Sequence, residues 1–212
     1  MSHLTESPVI ILVGPKHAGK TSVGRALAAL LGVSFTDLDE CVETLSGKSP
    51  RSLYKEGADV FRRFEAEALG VLLDGADRND DGVSADRKSG LVIAAGGGLI
   101  DNRDVLALLN SGGDGFSDTR PGPFLVYLEV SAATAWARIE QSAARTGELP
   151  PFLSGDLSSA RPQETHRLLH ERRAAAYREI AALTVQGEGK TPEELGREIF
   201  RACADNGKTR KP

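Results

Sequence analysis

Cysteine is scarce: Cys41 and Cys203 are the only two in 212 residues. They are far apart and lack metal-ligand spacing, which excludes a disulfide scaffold or a cysteine-rich metal module. Long apolar runs are missing too, so nothing reads as a membrane span. The opening stretch Met1–Pro8 is polar and too short for a signal peptide, so a cytosolic location with no membrane partner is expected. Positive charge is not in excess, with 26 Lys+Arg against 30 Asp+Glu and a net charge of -4. That balance gives no electrostatic footprint for nucleic acid. Lys208, Arg210 and Lys211 form a short basic tail that reads as a solvated terminus. No internal repeat is visible, and 40% hydrophobic with 26% charged residues is ordinary for a globular chain. The length fits one domain over 1–212, with a full core and room for a small lid.

Against these absences stands one complete motif. Residues Gly14-Pro15-Lys16-His17-Ala18-Gly19-Lys20-Thr21 spell G-x-x-x-x-G-K-T. The apolar run Val9–Val13 precedes it and a helical pattern follows, which is the strand–loop–helix context a phosphate loop needs. Gly14 and Gly19 let successive backbone N–H groups turn inward on a phosphate, and the helix start adds partial positive charge. Lys20 would reach the outer phosphates, and the Thr21 hydroxyl can ligate Mg²⁺. The spacing predicts a nucleotide-binding protein.

Apolar runs at Val9–Val13, Val33–Phe35, Leu91–Ala95, Phe124–Val130 and Leu183–Val185 alternate with helical patterns. Such alternation predicts an α/β protein with a parallel sheet. Helices are expected over 20–31, 38–46, 50–56, 59–73, 102–110, 131–142, 163–182 and 192–204. Asn102 suits a helix N-cap, and Thr191 before Pro192 marks another helix start. The Gly/Asp/Ser-rich stretches 74–90 and 111–122 read as surface loops. Residues 143–162, rich in Arg, Gly and Pro, are expected to form a lid.

Three further groups could carry chemistry. Asp37 and Asp39 follow the second short strand, at the end where open α/β sheets bind ligands. One can approach Mg²⁺ while the other meets a substrate hydroxyl; the other use of either is to cap the next helix. Arg62 and Glu65 share a helix face three residues apart and could pair, either as an ordinary surface contact or to receive a planar carboxylate ligand. Gly96-Gly97-Gly98 follows a strand directly and permits close approach of a ligand to the backbone.

Together, Gly14–Thr21, Asp37-Leu38-Asp39, Phe61-Arg62 with Glu65, Gly96-Gly97-Gly98, and Arg173 four residues before Tyr177 resemble the shikimate kinase family in order and spacing. The resemblance runs from the phosphate loop to about Ile180. It implies a three-layer αβα P-loop kinase fold with a mostly parallel five-stranded sheet, a substrate-binding segment about 38–73 and a lid about 143–162. It implies ATP and Mg²⁺ as cofactors and shikimate as small-molecule substrate, with phosphate passed to the 3-hydroxyl, and a monomer is expected. Residue by residue, Gly14 to Thr21 and Arg145 would bind nucleotide. Thr21 and Asp37 would serve Mg²⁺, the latter through water. Lys20 would neutralise the transferring group, and Asp39 would orient or deprotonate the attacking hydroxyl. Arg62 and Arg173 would hold the substrate carboxylate, with Glu65 placing Arg62 or meeting a hydroxyl. Gly96, Gly97 and Gly98 would offer backbone contacts, and Tyr54 and Phe61 would wall the pocket.

Three positions depart from that pattern. Pro150 stands where the family carries a lid arginine, ahead of Pro151-Phe152-Leu153, with Arg145 and Arg161 as the candidates to replace it. Ala58 replaces a common glutamate, and Ala174-Ala175-Ala176 lacks the usual proline before Tyr177. Two alternatives stay open: a kinase for another hydroxy acid such as gluconate, or a catalytically weak relative that binds without efficient transfer.

Overall fold

Five apolar residues in a row can be buried only if both faces of their strand are covered. In the computed structural model, Val9–Val13 (β1) does so at the centre of a five-stranded sheet. The structure describes residues 9–77, 90–110, 122–150, 153 and 161–209. The other strands are Ser34–Asp37 (β2), Leu91–Ala94 (β3), Phe124–Glu129 (β4) and Leu183–Gln186 (β5). Their order is β2-β3-β1-β4-β5, and all four pairings are parallel.

The helices are Lys20–Leu31 (α1), Leu38–Ser46 (α2), Pro50–Glu56 (α3), Ala58–Asp77 (α4), Arg103–Asn110 (α5), Ala132–Thr146 (α6), Pro162–Ile180 (α7) and Pro192–Thr209 (α8). Strand alternation sorts the core into two halves. Ile11, Val13, Ile93 and Tyr127 face α2, α3, α4, α5 and α7, whereas Ile10, Leu12, Val92 and Val126 face α1, the start of α6 and α8. The result is the three-layer αβα arrangement.

Local chemistry sets the helix ends. Asp37 caps α2 by accepting from the Asp39 N–H at 3.1 Å. Thr191 and Glu194 form a reciprocal capping box at the start of α8. Asn102 Oδ1 accepts from the Asp104 and Val105 N–H groups and starts α5. Three expected helix ends lie further along the chain, α8 reaching Thr209 rather than 204. α4 continues to Asp77 rather than stopping at 73, and α6 continues through Ala143, Ala144 and Arg145 to Thr146. Alanine and arginine extend a helix at little cost, and α6 ends only where Gly147 takes a left-handed φ of 75°. The first four residues of the stretch 143–162, expected to form a lid, are therefore the end of α6. Of that stretch, residues 151–152 and 154–160 lie outside the described residues, as do most of loops 74–90 and 111–122 and the termini.

Candidate active site

The strand order places β1 where the chain's crossovers change side, and ligands bind at the carboxyl ends of strands there. The β2–β3 register aligns Asp37 with Ala94, and β1–β3 aligns Ala94 with Leu12. The acid and the start of the phosphate loop thus leave the sheet at one level.

The loop's shape is forced by contacts that a side chain would destroy. A Cβ on Gly14, at φ 144°, would lie 2.6 Å from the Leu128 carbonyl oxygen. Gly19 takes a left-handed φ of 97° and starts α1 without a side-chain cap, leaving its N–H groups available for an anion. His17 at the apex has a φ of 62°, unusual for a non-glycine residue. Its carbonyl accepts from Arg138 Nη1 of α6 at 2.7 Å, which helps hold that turn. Lys20 is buried, and its Nζ donates to the Gly14 and Pro15 carbonyls at 2.9 and 2.8 Å. Burial lowers its pKa to about 8, against the opposing pull of Asp39 and Asp37.

The two aspartates divide the roles that spacing alone left open. Asp37 both caps α2 and accepts from Thr21 Oγ1 at 2.8 Å. Thr21 and Asp37 thereby offer adjoining hard oxygen donors. Among the described residues no cluster of three or more His, Cys, Asp or Glu exists. A hydroxyl beside a carboxylate fits Mg²⁺, which is held by a few protein oxygens together with water and phosphates. Asp39 turns instead toward the third strand end, where a Cβ on Gly96 would lie 3.4 Å from its Oδ1. Its pKa is raised, first by burial and then by Asp37, with Lys20 and Lys16 pulling it back.

Each of the three glycines has a different neighbour. A Cβ on Gly96 would also meet Glu65 Oε1 at 3.0 Å. One on Gly97 would strike the Lys16 amide nitrogen at 2.8 Å, and one on Gly98 would meet Arg173 Nη2 at 3.1 Å. Gly97 is thus needed for the turn to pack on the phosphate loop, whereas Gly96 and Gly98 face polar side chains, Asp39 and Glu65 at the first and Arg173 and Tyr54 at the second. Tyr177, four residues beyond Arg173 on α7, accepts from the Ile100 N–H at 3.3 Å and donates to the Gly97 carbonyl at 3.5 Å. The glycine turn and α7 are joined through that hydroxyl.

Glu65 is 1% exposed, and its pKa rises to about 7, chiefly through burial. Its Oε2 accepts from Asn102 Nδ2 at 2.9 Å. The expected pairing of Arg62 with Glu65 is replaced. Arg62 Nη1 meets Asp59 Oδ1 at 3.3 Å, because Asp59, also three residues away, is the outward-facing acid. The charges of Arg62 and Arg173 both still act on Glu65 and on Tyr54. Tyr54 stacks on Phe61 with ring centroids 4.5 Å apart.

Two contributors had no local signal in the sequence. Asp101 receives Arg173 through Nε and Nη2, at 2.9 and 2.7 Å on one oxygen, and Arg172 on the other. Arg51 of α3 donates to the Leu149 carbonyl at 2.9 Å and pairs with Glu148, tying α3 to the segment that follows α6. The two lid arginines separate clearly. Arg145 is exposed but close enough for its charge to act on His17. Arg161 lines a different hollow with Trp136 and Arg167.

A phosphate loop beside Thr21 and Asp37, with the non-capping carboxylate of Asp39 next to it at the strand ends, suits a P-loop kinase for a small molecule. Comparison with known proteins narrows the class. The shikimate kinase family model matches residues 16–204, and this chain belongs to the shikimate kinase family. It is similar to the shikimate kinase of Marinomonas sp. (strain MWYL1), 31% identical over 203 residues, covering 94% of this chain and 93% of that protein. Among solved structures, shikimate kinase from Acinetobacter baumannii in complex with shikimate superposes with a TM-score of 0.71 at 30% identity, covering 97% and 96% of the two chains. A gluconokinase from Sinorhizobium meliloti, at TM-score 0.56 and 20% identity over 96% of this chain and 95% of that one, shares the fold alone.

Proposed function

We propose that this chain transfers the γ-phosphoryl group of ATP to the 3-hydroxyl of shikimate, giving ADP and shikimate 3-phosphate. The observation that carries this reading is the placement of Asp39. It leaves helix capping to Asp37 and turns its carboxylate to Gly96, within the electrostatic reach of Lys20.

Main-chain N–H groups of the loop Gly14 to Thr21, Pro15 excepted, grip the phosphates, with Arg145 serving the nucleotide. Thr21 and, through water, Asp37 would hold Mg²⁺, which when bound would neutralise charge on the phosphates. Arg173, held in place by Asp101, and Arg62 receive the substrate carboxylate. Glu65, fixed by Asn102, contacts a ring hydroxyl, and Gly96 and Gly98 admit the ring beside the backbone. Asp39 orients the attacking hydroxyl and accepts its proton as the new O–P bond forms and the bond to the β,γ-bridging oxygen breaks. Lys20 stabilises the charge on the transferring group. Residues 38–73 supply the substrate side and the stretch that follows α6 the lid, in one domain acting as a cytoplasmic monomer.

An ADP-release assay tests the reading. With Mg²⁺ and ATP, shikimate is expected to raise ADP release far above ATP alone, and gluconate is not. Equal rates with and without shikimate would contradict it, and binding without turnover would favour the weak relative.

A further inference from the structure

Lys16 is a variable position of the phosphate loop, where the motif asks only for a backbone. Its main chain nonetheless packs against the glycine turn beside Asp39. The Lys16 amide lies 2.8 Å from where a Gly97 Cβ would be, and Asp39 Oδ1 lies 3.4 Å from where a Gly96 Cβ would be. Adjacent Cα atoms are only about 3.8 Å apart, so the Lys16 main chain and the Asp39 carboxylate flank neighbouring residues of one turn.

Two hollows meet at this lysine. One lies toward α7 and is lined by Lys16, Gly97, Arg173 and Tyr177. The other lies toward the end of α6 and is lined by Lys16, His17, Arg51 and Pro150. Lys16 borders both, so this residue lies where the α7 side of the phosphate loop meets its α6 side. Of the cations in the second hollow, Arg51 is engaged by Glu148 and the Leu149 carbonyl. Pro150 brings no charge. Lys16 and Asp39 act on each other electrostatically, and surrounding protein lowers the lysine's pKa although the residue reaches solvent at the rim.

We infer that the Lys16 side chain is a second catalytic cation, contacting the phosphoryl group as it passes from nucleotide to the hydroxyl held by Asp39. This rests on the phosphoryl transfer proposed above and extends it. Lys20 approaches from the buried side of the loop, where its Nζ sits against the Gly14 and Pro15 carbonyls. Lys16 approaches from the open side. A flexible lysine stem can follow a phosphoryl group that moves, with charge spread over its outer oxygens, between two bound partners. The role differs from that of the loop's amides, which hold the nucleotide and would be kept in any side-chain variant at position 16.

The test compares wild type with Lys16→Met, which keeps the stem, and Lys16→Arg, which keeps the charge. Lys16→Met is expected to lower kcat at least about tenfold, with KM for ATP changed less than threefold and an unaltered melting temperature. Lys16→Arg should recover most of kcat. Affinity for shikimate 3-phosphate should fall in Lys16→Met while that for shikimate stays level, a split that loss of packing would not produce. If wild type turns over shikimate and Lys16→Met matches it in kcat, the inference is overturned and the kinase reading stands. If wild type itself fails to turn over shikimate, both fall.

Discussion

Thr21 Oγ1 donates to Asp37 Oδ2 at 2.8 Å, joining the first turn of α1 to the end of β2 across the mouth of the sheet. The other oxygen of the same carboxylate accepts from the Asp39 N–H at 3.1 Å. One side chain thus holds the start of α2, which carries Asp39, against the helix that follows the phosphate loop.

The two duties of Asp37 can be separated by mutation. Asp37→Asn keeps a capping oxygen and loses the charge, so stability should change little while the Mg²⁺ requirement rises at least about tenfold. Asp37→Ala loses both, and should cost about 1–2 kcal/mol of stability as well. Urea denaturation and Mg²⁺ titration of the ADP-release rate check the two arms. Equal stability losses in both variants would argue against the capping role.

Glu65 makes stability depend on pH in a defined direction. Its native pKa is raised to about 7 from an ordinary value of 4.5, so between those values the folded chain retains a proton the unfolded chain has lost. Its contribution is therefore complete below about pH 4.5 and is lost as pH rises through about 7. Glu65→Gln keeps an acceptor for Asn102 and removes the titration. Relative to that variant, wild type should lose roughly 3 kcal/mol across the window. Melting curves from pH 4.5 to 8 measure it, and parallel curves for the two proteins would refute it.

Gly97→Ala and Gly98→Ala should differ sharply. The added methyl at 97 meets the Lys16 backbone at 2.8 Å, and the phosphate loop cannot yield without moving its amides. At 98 it meets the end of the Arg173 side chain at 3.1 Å, which can shift. Gly97→Ala should raise KM for ATP at least about tenfold, and Gly98→Ala should act mainly on KM for shikimate. The reverse pattern in steady-state kinetics would show the turn packed otherwise.

Much of this was legible because the signals are local. Buried parallel strands are written as apolar runs, and the phosphate loop is contiguous, so β1, the loop and α1 fell where the sequence put them. The order of acidic and glycine motifs led to the right strand ends. The choice between Asp37 and Asp39 as cap was not legible, since either residue type caps well at that spacing. Nor was the partner of Arg62: Asp59 and Glu65 both lie three residues away, and only packing turns Glu65 inward to Asn102. Asp101 on Arg173 spans 72 residues, a distance at which one acid in a sequence looks like any other. That Ala143 to Thr146 would end α6 was not legible either, because the stretch can be read as connection or as helix, and Gly147 decides it.

The most direct measurement is kcat for Asp39→Asn beside wild type in ADP release with saturating ATP, Mg²⁺ and shikimate. A carboxylate that takes the acceptor's proton should, when made an amide, cost about 10²–10⁴ in kcat while KM for ATP stays within about threefold. A variant that turns over shikimate at the wild-type rate would contradict the assignment of Asp39, and with it the account of how this site moves phosphate.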